Sequence, residues 1–371
     1  MAPLSIMTVL GTRPEAVKLA PVIRELARRG DAVRARVTLT AQHREMLDPI
    51  LENFAIRADD DLNLMAPDQQ LPALTAAILT GMDPLLRDRA VDMLVVQGDT
   101  TTTFAAALMG YYHRIPVAHV EAGLRTGNMD YPFPEEGNRV LTSRLAALHF
   151  APTAAARDNL LAEGVAAERI AVTGNTVIDA LLYTVGRGNG HGDDVRESGR
   201  TILVTAHRRE NHGAGMERIC DALLAIVAAH PDVTIDFPVH LNPRVGEVVR
   251  RRLSGRERIR LMAPLDYPSF CRAMARCHLV LSDSGGIQEE APALDKPVLV
   301  LRNETERPEA LAAGTARLVG TDPERITAEV GRLLGDGEAY RAMATAPNPF
   351  GDGRAAERIV DGMIRYLAAR R

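Results

Sequence analysis

The chain has 371 residues, a length that suggests two domains, and 46% of them are hydrophobic, enough for real cores. Aromatics make up 4%, Trp is absent, and the net charge of −4 comes from both signs mixed along the chain, without the basic face that nucleic-acid binding needs. No apolar run reaches the roughly 18 residues of a membrane helix, and the start "MAPLSIMTVLGTRPE" lacks the basic region of a signal peptide. Three cysteines (Cys220, Cys271, Cys277) are odd in number and have no metal spacing, so they read as buried thiols in a reducing cytoplasm, with no metal expected.

Short apolar runs alternate with longer amphipathic segments. The strand candidates are "IMTVLG", "MLVVQGD", "PVAHVEAG", "ALHFAPT", "RIAVTG", "TILVTAH", "TIDFPVH", "HLVLSDSGG" and "KPVLVLR". Several are nearly continuous in Val, Leu and Ile, as strands covered on both faces are. Helix-like segments such as "TTTTFAAALMGYYHR" and "GMERICDALLAIVAAH" lie between them, the mark of an α/β protein with parallel sheets.

After the first strand, "LGTRPEAVKLAP" starts a helix with Pro14 in its first turn, and Pro21 predicts that this helix is kinked or short. Arg13 and Lys18 sit at the strand end, where an anion would be met. The second and third glycines of a dinucleotide turn are missing, so no NAD is expected. "VVQGDTTTT" puts Asp99 just past a buried strand, as a helix cap or, if a threonine caps, as a free carboxylate. "AHVEAGLR" reads as a strand with His119 and Glu121 on one face, and a carboxylate ending a buried strand must be paired or functional. From His119 to Arg139 the chain reads as a long charged loop, because Pro132 and Pro134 forbid a helix there. Glu135 and Glu136 are either loop carboxylates or the start of a helix leading to Arg139.

The polar stretch Gly186 to Arg200 breaks the pattern near the middle and reads as a boundary region. Beyond it, "TILVTAHRREN" ends a strand with His207, Arg208 and Arg209, a pattern suited to phosphate contact or general acid chemistry, and His240 in "FPVHLNP" is a similar case. "LSDSGGIQEEAPAL" carries the most specific phosphate signal. Ser284, Gly285 and Gly286 offer a hydroxyl and unencumbered N–H groups at a helix start, with Glu290 one turn on for a ribose and Arg307 after the next strand. "MLVVQGDTTTTFAAAL" and "HLVLSDSGGIQEEAPAL" echo each other, which suggests two similar doubly wound halves with ligands beyond the carboxyl ends of the strands. The final "GRAAERIVDGMIRYLAARR" is a lone helix.

Together "GTRPEAVKLAP", "TAQHREMLD", "GDTTTT", "HVEAGLRTGN", "PFPEEGNR", "TGNTVIDAL", "TAHRREN", "PVHLNP", "DSGGIQEEAPAL", "KPVLVLR" and "TERPEAL" resemble, in order along nearly the whole chain, the non-hydrolysing UDP-N-acetylglucosamine 2-epimerases. The resemblance implies a GT-B architecture of two Rossmann-like domains with the active site in the cleft. The expected division is 1–174, 175–353 for UDP binding, and a helix 354–371 returning to the first domain. It implies inversion at C2 of UDP-GlcNAc through elimination of UDP and re-addition, without cofactor, in a homodimer. Asp99, Glu121 and Glu135 fall on acid–base positions and His207 on a catalytic histidine. Arg13, Lys18 and Arg139 match sugar-side site residues. Ser284, Gly285, Gly286, Glu290 and Arg307 match UDP positions, with His240 among the binding residues. Gln42, His43 and Gln69 fit a site for a second, activating UDP-GlcNAc, but Asp68 stands where some members carry an arginine, so activation is expected to be modest. "NMDYPFPEE" also departs from the more usual "YSP" before the acidic pair. The alternatives are a hydrolysing epimerase, an epimerase of a related UDP-acetamido sugar, a GT-B glycosyltransferase and a nucleotide-sugar sensor.

Overall fold

Two parallel sheets, each covered by helices, account for the strand candidates. The computed structural model describes residues 2–40, 44–64, 69–188 and 200–371. The chain divides into one compact unit of Met1–Ala180 with Phe350–Arg371 and a second of Leu181–Pro349. Gln42, His43, Asp68 and most of the 186–200 stretch lie outside the described residues.

In chain order the first part runs β1 (Leu4–Leu10), α1 (Arg13–Arg28), β2 (Val33–Leu39), α2 (Arg44–Asn53), β3 (Asp60–Asp61), α3 (Leu71–Asp88), β4 (Met93–Gln97), α4 (Thr101–Tyr112), β5 (Val117–Val120), α5 (Glu135–Leu145), β6 (Leu148–Ala151), α6 (Ala154–Ala162), β7 (Ile170–Val172) and α7 (Thr176–Gly188). The second runs β8 (Arg200–Thr205), α8 (Ala214–Ala229), β9 (Val233–Pro238), α9 (Pro243–Leu253), β10 (Ile259–Met262), α10 (Tyr267–Arg276), β11 (Leu279–Ser282), α11 (Gly285–Glu290), β12 (Val298–Val300), α12 (Pro308–Ala313), β13 (Ala316–Leu318), α13 (Pro323–Gly335) and α14 (Gly337–Ala344). The last helix, α15 (Ala355–Ala368), belongs to the first unit and packs against α1.

The sheet orders are β3-β2-β1-β4-β5-β6-β7 and β10-β9-β8-β11-β12-β13, with every described pairing parallel. In each sheet the winding reverses next to the first strand, between β1 and β4 and between β8 and β11. Loops leaving neighbouring strands diverge there, which is where open α/β sheets hold ligands. All seven residues of β1 are buried, as are all of β4, β5, β6 and β11. The second core joins Ile202, Val204, Phe237, Leu281 and Leu299 around α8 residues such as Ile219 and Leu223. Truncating a buried phenylalanine such as Phe237 to Ala costs about 3–5 kcal/mol, because a cavity remains as well as lost transfer energy.

Several expectations change. Pro21 neither ends nor shortens α1, which continues for 16 residues with Pro21 buried in its middle. The start of α1 is strong enough to carry it: Thr12 and Glu15 form a reciprocal capping box. The charged segment is shorter than a loop from His119 to Arg139, because β5 runs to Val120 and α5 begins at Glu135, directly after Pro134. Proline fixes a conformation ahead of a helix as readily as it forbids a helix interior. Glu121 does not continue the face of His119, since its φ of +61° turns the chain off the strand. Strands β2, β3, β10 and β13 were not among the candidates; β3 has two residues, and β2 and β10 carry arginines that break an apolar run.

Candidate active site

In the first half of the chain, one group of candidate residues lies at the winding reversal between β1 and β4. Lys18, on α1, donates to both carboxylate oxygens of Glu121 at 2.6 Å. Gln97, the last residue of β4, also donates to Glu121, and Asn175 donates from 3.2 Å. Glu121 is buried and left-handed at φ +61°, a conformation a non-glycine residue holds only when its surroundings force it, and such residues gather at functional sites. Two residues on, Gly123 turns at φ +91°, and a Cβ there would lie 2.1 Å from the Ala156 carbonyl oxygen, so only glycine lets the loop pass α6.

Asp99 sits beside this pair. The α4 cap is Thr100, whose hydroxyl accepts from the Thr103 N–H, so the Asp99 carboxylate is free to pair with Arg139. The Glu121 carboxylate lies 3.9 Å from where a Cβ on the preceding Gly98 would be, which places it next to the turn carrying Asp99. Arg139 also donates to Glu136 at 3.1 Å, and Glu136 accepts the Thr126 and Gly127 N–H groups at 3.0 Å, tying the start of α5 to the loop. Of the acidic pair, Glu136 is therefore the buried brace, while Glu135 is half-buried with no hydrogen bond or ion pair among the described residues. Arg13 is exposed with no ion pair among the described residues.

Two further buried groups shape this half. Glu15 accepts from the Gly11 and Thr12 N–H groups and from the Thr100 and Thr103 hydroxyls, joining the turns after β1 and β4. Burial raises its pKa against those hydrogen bonds. His119 sits under the Asp99 turn with Nε2 2.7 Å from the Gly98 carbonyl oxygen. Burial pushes its pKa down to about 4, so at neutral pH it is an uncharged donor.

In the second half of the chain, another group lies at the reversal between β8 and β11. His207 follows β8; its ring stacks on His240 with centroids 5.4 Å apart, and its Nδ1 lies 3.4 Å from Asp283. Burial lowers the His207 pKa, with Asp283 opposing and His240, Arg208 and His212 adding to the fall. Ser284 occupies the cap position of α11, yet its side chain makes no capping bond. Gly285 leaves a gap into which two guanidiniums reach: a Cβ there would lie 3.7 Å from Arg208 and 3.9 Å from Arg307. Arg307 is held by an ion pair with Glu289. Glu290 curls back over the same turn, 3.3 Å from where a Cβ on Gly286 would be. Backbone N–H groups, a hydroxyl and two guanidiniums around one glycine turn make a receptor for a doubly charged anion.

Gln97, Asn175 and Glu136 in the first unit and Asp283 in the second join these groups without having been picked as site residues, whereas Arg208 was read from the sequence as suited to phosphate contact. A polar residue closing an apolar strand, as in "MLVVQ" and "LVLSD", is the signal that could have found Gln97 and Asp283. Asn175 and Glu136 reveal themselves only once distant loops meet. Gln69 lies half-buried just ahead of α3. Among the described residues no group of His, Cys, Asp or Glu is arranged to hold a metal ion.

Comparison with known proteins identifies the family. The family model for UDP-N-acetylglucosamine 2-epimerase matches residues 24–364. The chain is 52% identical over 373 residues to the UDP-N-acetylglucosamine 2-epimerase of Yersinia pestis, covering 98% of this chain and 99% of that one. It is 51% identical over 372 residues to the enzyme of the same name from Escherichia coli K12, with 97% and 98% covered. The crystal structure of UDP-GlcNAc 2-epimerase from Neisseria meningitidis bound to UDP-GlcNAc matches with a TM-score of 0.86 at 46% identity, over 98% of this chain and 100% of that one. With its two Rossmann-like units, its match to the family model and its relatives at about half identity over nearly the full length, the chain belongs to the UDP-N-acetylglucosamine 2-epimerase family.

Proposed function

We propose that this protein interconverts UDP-N-acetylglucosamine and UDP-N-acetylmannosamine by inversion at C2. The observation that carries the reading is the strained, buried Glu121 held by Lys18 beside the Asp99–Arg139 pair. Such a carboxylate cluster has no role in binding a diphosphate but suits proton transfer at a sugar carbon. The C2 proton has no adjacent carbonyl to acidify it, so it leaves by elimination. A carboxylate takes the proton from C2, the electron pair forms the C1–C2 double bond, and the C1–O bond breaks to release UDP from bound 2-acetamidoglucal. In the return step a UDP oxygen attacks C1 and an acid delivers a proton to the opposite face of C2. Asp99, Glu121 and Glu135 serve as the acid–base set, with Arg13, Lys18 and Arg139 setting their charge. His207 acts at the leaving diphosphate. Ser284, Gly285, Gly286, Arg307 and Arg208 hold the diphosphate, His240 flanks it, and Glu290 takes the ribose hydroxyls. Electrons and atoms balance without an oxidant, so no cofactor is needed.

The protein acts as a homodimer in the cytoplasm. Tyr111 and Tyr112 at the end of α4, 63% and 64% exposed, and Leu141 on α5 form the apolar surface for the second copy. No described helix is long and apolar enough to cross a membrane. A second UDP-GlcNAc, bound through Gln42, His43 and Gln69, activates the reverse reaction modestly. Incubation with UDP-GlcNAc in D₂O, followed by chromatography and NMR, tests the central claim. UDP-ManNAc carrying deuterium at C2 is expected, with slow leakage of UDP and 2-acetamidoglucal. Full retention of protium at C2 would overturn the acid–base assignments.

A further inference from the structure

We propose that Asp283 is a positioning residue that fixes the turn, the ring orientation and the tautomer of His207. Asp283 is fully buried directly after β11, whose Ser282 pairs with Thr205 at the end of β8. Its two oxygens accept the His207 N–H at 3.1 and 2.9 Å, and Oδ2 also accepts the Arg208 N–H at 2.8 Å and the Asn211 Nδ2 at 2.9 Å. Each of these donors comes from the one loop that carries His207, and His207 Nδ1 stands 3.4 Å away.

A buried carboxylate costs several kcal/mol unless its lone pairs are used, and an asparagine could not replace it here. The amide has one acceptor oxygen, and its NH₂ would face donors on the loop. The carboxylate thus locks the turn and also selects a proton position on the imidazole. With Nδ1 toward a carboxylate, the ring proton sits on Nδ1, and Nε2 points away with a lone pair or, once protonated, a second N–H. His240 stacked on the ring limits its rotation, and Arg208 and His212 are the other charged or titratable groups facing it. Among the described residues facing the ring, the Asp283 carboxylate favours its cationic form, so it readies His207 to carry a proton when a diphosphate departs.

This inference rests on the assignment of His207 to the leaving diphosphate. The test therefore begins with a readout that needs no turnover: ¹⁵N NMR of the His207 imidazole in the full-length protein at neutral pH. The Nδ1–H tautomer is expected, and Asp283→Asn should abolish that preference. Finding Nε2–H in the unsubstituted protein, or the same tautomer in both, overturns the proposal even if the variant folds poorly. For turnover, Asp283→Asn should lower kcat by about 10- to 100-fold, with the UDP Kd changed threefold or less. In a His207→Ala background the same substitution should lower kcat by less than twofold, because residues acting as a unit are not additive. Losses that multiply would make Asp283 a general support of the fold instead. Absence of epimerase activity in the unsubstituted protein would refute the proposed function while leaving the tautomer result to stand or fall alone.

Discussion

The two halves of the chain solve opposite electrostatic problems. In the first unit, negative charge is gathered and held by fewer cations: Lys18 pairs with Glu121, and Arg139 alone is shared by Asp99 and Glu136. In the second, the Ser284–Gly286 turn offers donors and Arg208 holds only a loose contact of 3.8 Å with Glu306. Groups that must pass protons need a fixed geometry and a tuned charge before substrate arrives. Groups that hold a diphosphate need donors left for it. The same strand–turn–helix unit, at the same place in two sheets of similar winding, becomes reactive or receptive according to what its turn carries.

The largest effect that would break this contrast lies in the first half. Asp99→Asn, Glu121→Gln and Glu135→Gln should each cut kcat by about 10²-fold or more while the UDP Kd, read by calorimetry, stays within a few-fold. His207→Ala should lose as much in kcat. A carboxylate variant that weakened UDP binding but kept its turnover would exchange the roles assigned to the halves.

Acid should separate them next. His119 and His149, both in the first unit, are pushed down by burial to about 4 and about 3. The unfolded chain binds those protons from about pH 6.5 downward, so folded stability falls as pH drops through that window, by about 1.4 kcal/mol per unit for each group. Asp179, raised to about 6 by burial, has the opposite sign: between about pH 6 and 3.8 it adds stability as pH falls, and it offsets one of the two histidines. Circular dichroism across pH 7 to 4 should show a net loss, and His149→Asn should flatten the slope. A slope unchanged in that variant would contradict the buried neutral imidazole.

Smaller effects sharpen the second half. Arg307→Ala or Arg208→Ala should weaken UDP binding about 10- to 100-fold, the loss expected for a hydrogen bond to a charged group. Ser284→Ala should cost about fivefold, as a neutral hydroxyl bond would. The smallest is Thr12→Ala, which removes the cap of α1 and should destabilise by about 1 kcal/mol, seen as a fall of a few degrees in Tm.

Much of this was legible because strand ends announce themselves. Buried parallel strands are largely apolar, so Asp99, His207 and the Asp283–Ser284 pair stand out as the polar residues just beyond them. Glu121 was visible for the same reason, yet its left-handed backbone was not, since that is imposed by Lys18, Gln97 and Asn175 arriving from other loops. Local patterns also could not say which of Glu135 and Glu136 would be buried. That depends on Thr126 and Gly127 folding back onto α5. The short outer strands β3 and β13 escaped because two or three residues carry too little periodicity to read.

The helix α15 has a consequence for how the molecule is made. Its first turn has no side-chain cap of its own, and Asp179 supplies one, accepting the Ala355 and Ala356 N–H groups. Arg29 near the end of α1 pairs with Asp361. During translation those partners emerge long before residues 350–371, with the whole of Leu181–Pro349 synthesised in the interval. At roughly 5–20 residues per second, the first unit waits on the order of ten seconds for its last helix. The second unit is continuous in the chain and waits on no later segment. The nascent first unit meanwhile exposes the α1 surface that α15 later covers, and that interval is when it has most need of a chaperone.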